Sequence, residues 1–153
     1  MRRIAVAFTI AAATLAQGAA ADVLAVRHAW ARATPPGSTV AAAYLTIDNA
    51  GGRSDRLLSI ASPRARSAEV HAVTRDGELV RMRKVNPLHV AAGERVALEP
   101  GGLHVMLMGL NVPLRSGGKL PLTLVFERAG EIRVEAEILA ADATDPHAGH
   151  NPH

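Results

Sequence analysis

The chain has 153 residues, of which 20% are charged, 3% are aromatic and none is cysteine. The lack of cysteine excludes disulfides, thiol chemistry, zinc–thiolate sites and blue-copper electron transfer, which needs a Cys thiolate beside two His. Lys and Arg (17) outnumber Asp and Glu (14) by little, and the basic residues are scattered except at Arg81, Arg83 and Lys84. With stacking aromatics also scarce, a nucleic-acid surface is excluded.

Residues 1–21 read as a secretory signal peptide. Arg2 and Arg3 form a basic start, Ile4 to Ala16 an apolar core, and Ala19-Ala20-Ala21 a small-residue cleavage site. A membrane anchor needs about 20 apolar residues, more than this segment has, so no stable membrane insertion is expected. Cleavage before Asp22 leaves 132 residues, a single-domain length. It also removes Arg2 and Arg3, which brings the net charge from +3 to +1.

The remainder reads as short strands broken by Gly, Pro, Asn and Asp. They are expected at Val40 to Asp48, Arg56 to Ala61, Ser67 to Val73, Leu79 to Val85, Arg95 to Glu99, Leu103 to Gly109, Leu122 to Glu127 and Glu131 to Leu139. The last alternates cleanly, with Ile132, Val134, Ala136 and Ile138 on one face and Arg133, Glu135 and Glu137 on the other. Such alternation marks strands with one buried and one solvated face. Many short strands at this spacing predict one all-β domain over 22–139, a β-sandwich or Greek-key barrel. Residues 140–153 are small and polar and hold His147, His150 and His153, which reads as a flexible tail able to gather copper(II) or zinc. His28 and His89 have no methionine at a matching offset and read as structural.

Two histidines stand at set offsets from methionines. Between His71 and Met82, Asp76-Gly77 is a strong signal for a two-residue hairpin turn. A turn there puts His71 directly opposite Met82, on one sheet face. In Leu103-His-Val-Met-Leu-Met-Gly109, the aliphatic residues Leu103, Val105 and Leu107 should face the core. His104, Met106 and Met108 then share the other face, and alternation alone does not rank the two methionines. Imidazole with thioether selects copper(I) over harder ions. No G-x-S-x-G, H-E-x-x-H or Gly-rich phosphate loop appears, so an enzyme is not expected.

The interval His, ten residues, Met, twenty-one residues, His-x-Met, met at His71, Met82, His104 and Met106, is similar to the signature of PCu(A)C-type periplasmic copper(I) chaperones. Trp30 to Gly37, Ala43 to Thr46 and Glu99 to Leu110 resemble that family's other blocks, over about residues 26 to 139. The resemblance implies a cupredoxin-like β-sandwich and His71, Met82, His104 and Met106 as ligands of Cu(I). It implies delivery to the CuA-type centre in the copper-bearing subunit of a respiratory cytochrome oxidase, beside a Sco-type thioredoxin-fold protein. A periplasmic copper buffer without a dedicated acceptor would use the same ligands. The family's His- and Met-rich tails bind Cu(II); this tail has only the histidines. The expected species is a periplasmic monomer.

Overall fold

The computed structural model describes residues 23–146. The expected signal peptide and the tail residues His147, His150 and His153 lie outside the described residues. Ten strands form: β1 (Leu24–Arg32), β2 (Val40–Asn49), β3 (Asp55–Ala61), β4 (Ala65–Asp76), β5 (Leu79–Lys84), β6 (Leu88–Val90), β7 (Arg95–Leu98), β8 (Leu103–Leu110), β9 (Lys119–Phe126) and β10 (Gly130–Leu139). No helix occurs among the described residues.

Seven strands close into a barrel in the order β4-β8-β2-β1-β10-β9-β3. The seam that completes the ring is one bridged pair, Ile60 opposite Ala68. Strand β6 flanks β3, β7 pairs with β2, and β5 hangs on β4 as an edge. The fold is thus the expected all-β cupredoxin-like one, closed as a barrel.

Period-two patterning fills the interior. On β9, Leu120, Leu122, Leu124 and Phe126 point inward and are fully buried, as are Leu45 and Ile47 on β2 and Val105 and Leu107 on β8. One buried charge is structural. The Asp55 carboxylate accepts the backbone N–H groups of Arg56 (2.7 Å), Arg128 (2.9 Å) and Ala129 (2.9 Å) and ties the β9–β10 turn to β3, so it is compensated.

Strands β1 and β6 are additions to the expected set. On β1 the ladder to β2 slips between Arg27 and Trp30, and His28 sits at φ 53°. That bulge breaks the alternation that would have marked the strand. β6 has only three residues, too few for a period. β4, at twelve residues, outruns its expected length because it extends into the hairpin with β5.

Candidate metal site

The hairpin is the first correction. Asp76 pairs with Leu79, which leaves Gly77-Glu78 as the two-residue loop. Gly77 has φ 61° and Glu78 does not adopt positive φ, which fits a type II′ turn with glycine first. An Asp76-Gly77 turn of type I′ would need positive φ at Asp76 as well. The actual turn moves the register by two. His71 faces Lys84, and Met82 faces Val73. The expected face-to-face His71–Met82 pair does not form, but Met82 keeps the face of His71, because only an odd slip turns side chains over.

Strands β4 and β8 then build the centre. His71 lies directly opposite His104 and Glu69 opposite Met106. The imidazole rings are 6.0 Å apart, centroid to centroid, and inclined at 60°. On this outer face, successive side-chain rows stand roughly 7 Å apart, two strand rises. The His71–His104 row has Met106 on one side and Met82 on the other. Met108 faces Ser67 and Val40, two rows from His104 and so roughly 14 Å away. The register therefore ranks the two β8 methionines: Met106 adjoins the histidines and Met108 does not.

Exposure differs sharply around the site. His104 is buried at 5% and Met82 is exposed at 57%, while His71 and Met106 are half-buried. The site is thus sunk at His104 and open at Met82. Beyond β8, Trp30 on β1 and Tyr44 on β2 are both buried, with ring centroids 4.5 Å apart and planes inclined at 37°. The Arg32 guanidinium lies 5.7 Å from the Tyr44 ring, and its Nε donates to the Ala143 carbonyl at 3.0 Å. Burial raises the Tyr44 hydroxyl above its ordinary pKa, and the Arg32 charge partly offsets this.

Polar contacts orient both imidazoles. The Glu99–Gly102 turn brings the Gly102 carbonyl within 3.2 Å of His104 Nδ1. On the other ring, His71 Nε2 is 3.0 Å from Glu69 Oε2, and Lys84 Nζ donates to Glu69 Oε1 at 2.7 Å. The bonds from Lys84 and His71 hold the Glu69 carboxyl below its ordinary pKa. His71 Nδ1 is buried with no hydrogen-bond partner. Leaving a polar atom so costs about 1–3 kcal/mol, a cost that a bound metal would remove.

Glu69 and Lys84 are the residues that sequence reading missed. Alternation places Glu69 on the His71 face, but a strand carboxylate ordinarily faces solvent. The position of Lys84 depends on the hairpin register. Among the described residues, no group of three or more His, Asp or Glu side chains is gathered to hold a metal ion.

The fold and the sequence have counterparts in known proteins. The family model for LpqE-like lipoproteins matches residues 24–138. A protein of Leifsonia xyli subsp. xyli named as a lipoprotein is 36% identical over 110 residues, 71% of this chain and 65% of the relative. The chain thus spans just under two thirds of that relative's length. The copper-bound PCuAC domain from PmoF2 superposes with a TM-score of 0.67 at 31% identity, covering 76% of this chain and 92% of that domain. The solution structure of Cu(I)-DR1885 from Deinococcus radiodurans gives 0.59 at 32% identity, covering 81% of each chain.

Proposed function

The chain belongs to the LpqE-like, PCu(A)C-type family, and on that premise we propose that it is a copper(I) metallochaperone with His71, Met82, His104 and Met106 as ligands. The carrying observation is the His71–His104 pair with a thioether in the row on either side. Two neutral imidazoles and two thioethers form an uncharged soft set, which favours copper(I) over copper(II). Thioethers need no deprotonation, so loading and release depend only on free imidazole lone pairs. The protein acts by ligand exchange and performs no catalysis.

Met82 gives the exchange its direction. It stands exposed on the edge hairpin, one row short of the histidines. Its unbranched side chain has three rotatable bonds, and it joins the shell as the hairpin end bends over the His pair. An acceptor displaces Met82 first, while His104 and Met106 still hold the ion. The acceptor in this reading is the CuA-type centre of a cytochrome oxidase subunit, approached in the periplasm with a Sco-type protein. The lipoprotein description of the family supports export. A copper(II) role for His147, His150 and His153 is a separate, secondary element.

The test is competition for copper(I) against a chromophoric chelator. It compares the mature chain, the His147→Ala/His150→Ala/His153→Ala variant and the Met82→Leu/Met106→Leu variant. One tight equivalent that survives loss of the tail histidines and vanishes in the thioether variant supports the site. Binding that disappears with the tail histidines would sink it. Failure to pass copper(I) to the isolated oxidase domain would leave a buffer.

A further inference from the structure

The two histidines are held by different ring nitrogens. His104 is anchored at Nδ1 by the Gly102 carbonyl, and His71 at Nε2 by the Glu69 carboxylate. Both anchors are pure acceptors in these contacts, because a carbonyl has no proton and the Glu69 carboxylate is ion-paired with Lys84. Each anchored nitrogen therefore carries the hydrogen, and the lone pair sits on the other nitrogen of a neutral ring. For His71 that other nitrogen is Nδ1, the buried atom without a partner.

We propose that Glu69 is the positioning residue of the site, fixing His71 as its Nε2–H tautomer so that Nδ1 meets copper(I), while His104 binds through Nε2. The proposal rests on the metal-site reading above and deepens it. Metal-bound imidazoles commonly donate their remaining N–H to a carboxylate or a backbone carbonyl, and such partners fix ring orientation and raise ligand basicity. Here one histidine has each kind. The carboxylate is itself steered, since Lys84 faces His71 across the β4–β5 ladder and takes the other Glu69 oxygen. The register that carries Met82 away from His71 thus delivers Lys84 to Glu69. The competing arrangement binds copper through His71 Nε2, which requires breaking the Glu69 bond and leaves Nδ1 buried and unpaired.

The experiment is imidazole nitrogen NMR on the full mature chain, metal-free and with one equivalent of copper(I), which is diamagnetic. Metal-free protein should show His71 protonated at Nε2 and bare at Nδ1. On loading, the His71 Nδ1 and His104 Nε2 resonances should move while the His71 Nε2–H and His104 Nδ1–H couplings persist. Glu69→Ala should give mixed His71 tautomers and weaken copper(I) binding about 10–100-fold, the usual cost of losing such a partner. Glu69→Gln keeps an acceptor oxygen and should recover part of that loss. Metal-free His71 protonated at Nδ1, copper bound at His71 Nε2, or Glu69→Ala binding within about threefold of wild type would each overturn the proposal. If wild-type protein binds no copper(I), the function proposed above fails; the tautomer assignment is still decided by the metal-free spectrum.

Discussion

The two halves of the candidate site are built on unequal foundations. His104 and Met106 belong to β8, which is hydrogen-bonded on both sides, to β4 and β2, and drives Val105 and Leu107 into the barrel. His71 is held on β4 between β8 and β5, whereas Met82 belongs to β5, an edge strand with every residue exposed. Motion is cheap where few apolar contacts and many exposed backbone bonds occur. The side chains on β4 and β8 form a fixed socket, and Met82 on β5 is a movable arm. A carrier that must both hold and surrender an ion needs that asymmetry.

The comparison breaks most visibly on β8. His104→Ala should abolish tight copper(I) binding, exceeding the 10–100-fold loss given by outer partners. Chelator competition checks this. On the inner face of the same strand, Leu107→Ala should cost about 2–5 kcal/mol in urea unfolding, since Leu107 is fully buried. The arm should behave differently. Met82→Leu should leave stability within about 0.5 kcal/mol, as exposed substitutions usually do, and raise the copper off-rate to an acceptor chelator in stopped flow. Equal effects of Met82→Leu and Met106→Leu on off-rate would erase the distinction between arm and socket. Gly77→Ala puts a Cβ where φ is 61°, a strain of roughly 1–2 kcal/mol. It should fray the hairpin by hydrogen exchange and leave β8 protected.

The sequence was legible where each residue's neighbours decide its fate. Alternation located β2 to β5 and β7 to β10 and the core face of β8. It failed at β1, where the bulge beside His28 interrupts the period. The barrel's closure rests on Ile60 opposite Ala68, a pairing between strand faces that no local pattern encodes. In the hairpin, one glycine served two turns: Asp76-Gly77 and Gly77-Glu78 both satisfy turn chemistry, and the choice moved Met82 by a row. The face survived because the slip was even. The four proposed ligands were readable as residues on one face, whereas their partners Glu69 and Lys84 depended on register.

The smallest effect separates two carboxylates that look alike electrostatically. Glu127 accepts from Arg56, with Nε to Oε2 at 2.6 Å, and its carboxyl is lowered chiefly by that bond. Glu69 is lowered by Lys84 and His71. In both, the folded pKa lies below the unfolded one, so the stabilisation is present above the ordinary carboxylate pKa and fades as pH falls through the folded value. Both pairs are solvent-accessible, so the effect on stability is small. Glu127→Gln should flatten the acid end of the stability–pH curve in urea titrations below about pH 4.5 and leave copper(I) affinity unchanged, because the charged groups that act on Glu127 are Arg56, Asp55 and Arg128, none of them in the site. Glu69→Gln should flatten the same limb and also weaken copper binding. If Glu127→Gln weakened copper binding as much, the loss would reflect general electrostatics, and the special place of Glu69 beside His71 would be gone.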